Sequence, residues 1–462
     1  MANPTLPELV DRGLAASTAD GCVIIVDHET TTNLRWANNT LTTNGSGRGT
    51  VVTVISTVDS SAGTAAASLT RTVTGLEALD ALVSDADAAA REASPAPDAN
   101  PLVTGDADPG WDELPEVTGI GVFEAFSAAL GDAMGRARGS GRVLYGFVEH
   151  TCTSTYLGTS TGLRRRHVQP GGHVSITAKD ESLTRSAWVG QSTRDFADVD
   201  ALALDAELDR RLGWAERSVS LEPGRYDTVL PPAAVADLMI YAYWTAGARA
   251  AHEGQTVFGR PGGGTRIGEQ PSPKPVTLSS DPASPGLETA PFVIARSSGA
   301  EQSVFDNGLP VGATDWIERG TLTNLLQTRH SAQLTGHDVT PVVDNLKVFV
   351  DDATGSTEDL LAGIERGLLL TCLWYIREVD PQTLLLTGLT RDGVYLVENG
   401  EITGAVNNFR FNESPVDLLG RFSQSGASVP SFSREWGDYF LRTATPALRI
   451  PDFNMSSVSQ AH

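Results

Sequence analysis

The chain has 462 residues, of which 40% are hydrophobic and 20% charged, and its formal net charge is −23. The length exceeds what one compact core holds, so two domains are expected, and the acidic balance argues against general binding to nucleic acid or to an anionic membrane. Cys22, Cys152 and Cys372 are too scattered for a disulfide framework, no basic-then-apolar leader opens the chain, and no window reaches the ~18 apolar residues of a membrane span; a soluble cytoplasmic protein is expected.

Thr5-x-x-Glu8 is a capping-box pattern, and Leu6, Leu9, Val10 and Leu14 follow at helical spacing. Residues 22–28 and 49–57 then predict strands, with "TTNLRWANN" between them as a third. Residues 75–93 return to helix on the stripe Leu76, Leu79, Leu82 and Val83, and 94–110 form a Pro/Asp/Gly-rich loop. A helix over 122–138 precedes strands at 142–150, 153–168, 173–179 and 185–190, and "DVDALALDAELDRRLGWA" is a further helix. The only dense basic run, Arg164-Arg165-Arg166, is expected to be a solvated strand edge. Helices alternating with meandering strands predict an α+β domain over 1–215. One helix over 233–253 follows, and strand-like runs with Gly/Pro turns fill the rest. Asn399-Gly400 is a type I′ hairpin turn, and "VFDNGLPV" is a second hairpin candidate weakened by Pro310. A mainly β domain with one or two packed helices is expected over 225–462.

The chemical motifs are incomplete. His252-Glu253 opens the commonest zinc-protease signature, but the residue four positions on is Thr256 and the residue five on is Val257. Neither offers an imidazole, and no catalytic zinc is held by one histidine. Leu238, Thr245 and His252 stand at heptad spacing, so His252 is expected to be a partly buried, hydrogen-bonded residue at a helix end. The pairs His150 with Cys152, His167 with His173, and His330 with His337 match no known ligand spacing. "GTSTG" centres Ser160 as in a nucleophile elbow, yet strand and turn follow it where that elbow needs a helix. "RPGGGTRIG" lacks the Lys-Ser/Thr ending of a phosphate loop and reads as a hinge, and Cys372 reads as a core thiol. By residues alone, a binding or partner subunit is favoured over an independent enzyme.

Residues 367–419, "GLLLTCLWYIREVDPQTLLLTGLTRDGVYLVENGEITGAVNNFRFNESPVDLL", resemble the C-terminal part of the TldD/PmbA family, once called modulators of DNA gyrase. "TYLGTSTGLRRRHV" resembles the family's N-terminal hairpin and "TPALRIPDFNMSS" its closing strand. The resemblance implies an N-terminal α/β domain and a C-terminal domain on a curved sheet, with two protomers enclosing a chamber. TldD-like members are zinc peptidases with a His-Glu-x-x-x-His helix and a later cysteine ligand; TldE (PmbA)-like members lack those ligands and pair with a TldD-like chain. Here His252 and Glu253 match, Val257 stands at the second histidine, the cysteine's place falls near Phe432, and 373–376 look TldE-like. The resemblance therefore implies a subunit with no catalytic residue, metal or cofactor of its own. It would form a heterodimer with a TldD-like subunit carrying zinc, and together they would degrade or trim unfolded peptides, leader peptides included. The alternatives are an independent hydrolase using His252, Glu253 and a remote ligand such as His330 or His337, a specialised pair member in natural-product biosynthesis, and a peptide-binding module with no peptidase partner.

Overall fold

The computed structural model describes residues 4–459. Helix α1 (Leu6–Ala16) starts as expected: Thr5 accepts from the Glu8 amide while its own amide donates to the Glu8 carboxylate. Strands β1 (Gly21–Ala37), β2 (Thr40–Ser60) and β3 (Gly63–Thr72), helices α2 (Leu76–Glu92) and α3 (Glu124–Gly139), strands β4 (Arg142–Thr159), β5 (Arg164–Asp180) and β6 (Ser186–Thr193), and helix α4 (Ala201–Trp214) complete the first half. Its six strands form one antiparallel sheet in the order β3-β2-β1-β4-β5-β6.

Three sequence expectations are corrected here. The separate strand at "TTNLRWANN" is the far end of β1, which runs unbroken to a turn at Asn38 and Asn39, both at positive φ. Asn39 locks that turn by donating to the Arg142 carbonyl and accepting from the Leu144 amide. The four short strands after 142 are three, because β4 and β5 run through the points where polar residues suggested breaks. All four helices cover one face of the sheet: α1 and α2 pack on Cys22, Ile24 and Val26, while α3 and α4 pack on Leu34, Trp36 and Val148. On the opposite face, Val23, Ile25, Ile55 and Leu157 are covered by Phe292, Val304 and Phe305 from the second half. Arg164, Arg165 and Arg166 are no solvated edge: they pair with Asp11, Asp108 and Glu113, and the Arg164 and Arg166 guanidinium groups also lie over the rings of Trp111 and Tyr156.

The second half contains β7 (Ser218–Val219), β8 (Gly224–Leu230), α5 (Pro232–Trp244), α6 (Ala248–His252), β9 (Val276–Ser280), β10 (Thr314–Glu318), β11 (Thr321–Leu322), α7 (Arg329–Thr335), β12 (Leu346–Val350) and α8 (Thr357–Ala362). It continues with β13 (Arg366–Leu370), β14 (Leu373–Asp380), β15 (Leu385–Thr390), β16 (Val394–Glu398), β17 (Glu401–Val406), β18 (Phe409–Glu413), α9 (Pro415–Arg421), β19 (Gln424–Ser425), β20 (Val429–Ser431), β21 (Thr443–Thr445) and β22 (Leu448–Val458). One sheet has the order β11-β10-β9-β12-β21-β20; a ten-stranded sheet runs β14-β15-β18-β22-β8-β13-β16-β17-β7, with β19 on β22. The fold class is α+β, with more helix in this half than expected. The β16–β17 hairpin turns at Asn399 and Gly400 with both φ angles positive, as its chemistry requires. "VFDNGLPV" is not a hairpin: Val304–Asp306 form a 3-10 turn, and the Asn307 side chain bonds to both backbone groups of Ala295.

The single helix expected over 233–253 is two. After Trp244 the backbone leaves the helical pattern, because the Ala246 carbonyl and the Ala248 amide both bond to Leu326. The break leaves α6 only five residues long. Helix α5 is buried almost all round and forms the axis of the large core, which includes Leu238, Phe409, Phe453 and Ile450.

Candidate functional site

His252 is the last residue of α6, and Glu253 is its C-cap. The Glu253 carboxylate is occupied: it accepts from Arg249 Nε at 3.1 Å and from Gln255 Nε2 at 2.9 Å. Gly254, at φ 73°, ends the turn, and the chain folds back so closely that a Cβ on Gly259 would lie 2.3 Å from the Ala251 carbonyl oxygen. Gly262, Gly263 and Gly264 all have positive φ, and the Gly264 amide donates to the His252 carbonyl. "RPGGGTRIG" is thus a loop clamped to the helix end, with Glu269 bridging Arg260 and Arg266. Together these residues line a cleft of about 740 Å³ beneath Gln382 and Thr383.

Val257, at the second histidine's place, is 7% exposed and belongs to the large core. It lies beyond the end of α6, so no shared helical face aims position 257 alongside His252. Phe432 lies in a different cluster, with Trp188 and Cys372. Its ring stacks on His173 at 5.4 Å and on Trp188 at 6.1 Å, and a Cβ on Gly190 would meet it at 2.5 Å. One imidazole beside a carboxylate already held by its neighbours does not suit zinc, which takes four protein ligands in a structural site and three in a catalytic one. Among the described residues no group of three or more His, Cys, Asp and Glu side chains is arranged to hold a metal ion.

The other sequence candidates are dispersed. His150 uses both ring nitrogens, on the Thr118 hydroxyl at 2.8 Å and the Arg194 carbonyl at 2.6 Å, and Cys152 is buried two residues along. His167 bonds to Gln169, and burial holds both His167 and His173 below the usual histidine range. His337 reaches the Thr265 hydroxyl at 3.4 Å, and His330 lies at the start of α7. Ser160 sits in the β4–β5 turn, where its hydroxyl accepts from the Cys22 amide; strand β5, not a helix, follows. Cys372 is a buried thiol that donates to the Arg391 carbonyl, and burial pushes its ionisation up.

A densely wired polar region joins the two halves, and no sequence motif announced it. The Arg434 guanidinium lies over the rings of Trp188 at 5.2 Å and Trp374 at 4.7 Å, pairs with Asp392 at 2.7 Å and touches Cys372 Sγ at 3.0 Å. Asp392 also accepts from Ser186 of the first sheet. Next to it, Asp237 of α5 is wholly buried and accepts from Ser433 Oγ, the Glu435 amide and the Leu373 amide. Burial pushes its carboxyl up to about 7 against those bonds, with the Glu435 charge adding to the rise.

Residues 223–457 match the PmbA/TldA metallopeptidase C-terminal domain, a span of more than half the chain. The chain belongs to the TldD/PmbA family. No curated protein matches the sequence. Among solved structures it is similar to TldE from Thermococcus kodakarensis, at 16% identity and TM-score 0.77, over 96% of this chain and 98% of that one. It is also similar to a candidate modulator of a DNA gyrase from Thermotoga maritima MSB8, at 18% identity and TM-score 0.74, over 97% of this chain and 100% of that one. A third, from Bacteroides thetaiotaomicron VPI-5482, is 14% identical with TM-score 0.69 and 97% coverage both ways. Identities this low speak for the fold, which the TldD/PmbA chain shares along nearly its whole length. No helix among the described residues is long and apolar enough to cross a membrane.

Proposed function

We propose that this TldD/PmbA chain is a catalytically silent, TldE-like subunit of a heteromeric zinc peptidase, acting in the cytoplasm with a TldD-like partner that carries the zinc. Its domains in this reading are 1–215 and 225–462. It completes the chamber and holds extended peptide for degradation or trimming, and it contributes neither metal ligand nor nucleophile. The observation that carries the reading is Val257: an apolar core residue past the end of a five-residue helix stands where a zinc helix needs its second imidazole. The Glu253 carboxylate, tied to Arg249 and Gln255, supports it further.

The test is the zinc content of the chain purified alone and dialysed against a weak chelator, followed by peptide cleavage with and without a TldD-like chain. Near-zero zinc, no cleavage alone and cleavage by the mixture are expected. About one zinc per chain, or cleavage by the lone chain that His252→Ala abolishes, would refute the reading in favour of an independent hydrolase.

A further inference from the structure

The second half covers only part of the sheet face opposite the four helices. Past Asp27, which pairs with Arg296, the β1 residues on that face are Glu29, Thr31, Asn33 and Arg35, and none is buried. Their neighbours on β4 are Thr153, Thr151, Glu149 and Phe147, each only half-buried. The glycines of β2 show that nothing overlies this floor at its β2 side. A Cβ on Gly49 would meet no atom within 4 Å, and one on Gly47 or Gly45 only the adjoining Thr31 or Asn33. The other face of the same strands is closed, with Leu34, Trp36 and Val148 packed under α3 and α4.

The charge on this floor is unbalanced. Glu29 accepts from the Thr153 hydroxyl at 3.4 Å. Asp438 of the second half lies 3.9 Å from His173, which stands directly across from Glu149. Burial, with the charges of Asp438 and Glu29 next, holds the Glu149 carboxyl above the usual range. Among the described residues no lysine or arginine lies within ion-pair distance of Glu29, Glu149 or Asp438. Arg35 instead lies over the Phe147 ring at 5.3 Å, so three carboxylates stand against one guanidinium. Glu29 faces Thr153, four residues along β4 from Glu149, which puts the two acidic positions roughly 13 Å apart.

A second copy of the chain does not suit this face, because it would set the same carboxylates against one another. A permanent subunit contact does not suit it either: such a contact needs buried aromatic or aliphatic anchors, and Phe147 is the only ring among these floor residues. An extended peptide asks for less. Its backbone groups can bond to the hydroxyls and the amide of the floor, and side chains four residues apart project to the same side. We infer that this open face binds an extended stretch of peptide carrying lysine or arginine, with two basic side chains four residues apart seated on Glu29 and on Glu149 with Asp438. The assignment rests on the peptide-holding reading above and adds the class of sequence that is held.

The test titrates the full chain, without a partner, by calorimetry at low ionic strength with the capped peptide Lys-Thr-Val-Thr-Lys and with its Gln-Thr-Val-Thr-Gln counterpart. Two exposed ion pairs predict about fivefold tighter binding of the lysine peptide. The double variant Glu29→Gln, Glu149→Gln should remove that preference. The double variant Glu77→Gln, Glu92→Gln takes the same charge from exposed positions on α2 and should keep it. Unchanged melting temperatures show that both variants are folded. Equal binding of the two peptides, binding of neither at millimolar concentration, a preference that survives in the first variant, or an equal loss in the second would overturn the assignment. Displacement of the bound peptide by a zinc-stripped TldD-like chain would give the face to that subunit and overturn the peptide. Mass spectrometry of the titrated peptide separates the two proposals. Fragments of a lysine peptide bound with the expected preference would refute the silent-subunit reading and support this one, whereas an intact peptide bound without charge preference refutes only this one.

Discussion

Asp237→Asn should lose or invert its destabilising effect between mildly acidic and mildly basic pH. The wild-type carboxyl is fully buried and sits at about 7, against about 4 in an unfolded chain. A raised folded value means that the native state binds the proton more tightly, so this contribution is complete below about pH 4 and is lost as pH rises through 7. About three pK units at about 1.4 kcal/mol each give a loss of about 4 kcal/mol across that window. The asparagine cannot titrate. Its oxygen retains Ser433 Oγ and the Glu435 amide, but its NH₂ faces the Leu373 amide, donor against donor, at a cost of about 1–3 kcal/mol. At pH 5 the variant should therefore melt below wild type, and at pH 8 the gap should close or reverse. Melting temperatures of both proteins from pH 5 to 8, at fixed ionic strength, give the comparison directly. Parallel profiles would mean that Asp237 does not titrate in this window and would refute the argument.

Removing Arg434 as Arg434→Ala leaves the buried Asp392 with only the more distant Arg391, at 3.7 Å, and a loss of about 3 kcal/mol, the low end for a broken buried pair, is expected, read as a fall in the denaturation midpoint; a fall below about 1 kcal/mol would mean that the junction is not held there. Val257→His should bind no zinc above wild type and should destabilise by about 1–3 kcal/mol, because it places an imidazole in an apolar core; stoichiometric zinc in the dialysed variant would overturn this. All three cysteines are buried, with the Cys22 thiol pushed up to about 12 and those of Cys152 and Cys372 also raised by burial. An aromatic disulfide reagent at pH 8 should thus label none quickly in the native state and all three in denaturant.

Where local chemistry decides local structure, the sequence was readable. The Thr5–Glu8 box and the Asn399-Gly400 turn need only their own neighbours, and both stand as expected. What it hid depends on distant partners. The outer part of β1 reads as polar, yet Thr30 is buried there with the Thr118 amide donating to its hydroxyl, and Thr32 with its hydroxyl donating to the Gly45 carbonyl of β2. The break between α5 and α6 is imposed by Leu326, about eighty residues away in sequence, and apolar periodicity across 233–253 carries no trace of it. The arginine run looked solvated because Asp11, Asp108 and Glu113 lie so far from it in the chain. For the site, spacing alone exposed the missing imidazole at 257.

The covering of Val23, Ile25, Ile55 and Leu157 by Phe292, Val304 and Phe305 has a consequence for synthesis. The last strand of that sheet ends at Thr193, but its apolar cover is encoded about a hundred residues later. At ordinary translation rates the nascent sheet waits on the order of 10 s with that face covered only in part, by Leu102, Val103 and Leu163 of its own half. During this interval a partly bare, apolar sheet face is open to wrong partners, a growing chain on the next ribosome among them. A slow stretch of translation between 193 and 305 would lengthen the exposure, and a chaperone that masks apolar patches would act on this half first. Yield in the cell is then set by how soon residue 305 emerges, as much as by the stability of the finished fold.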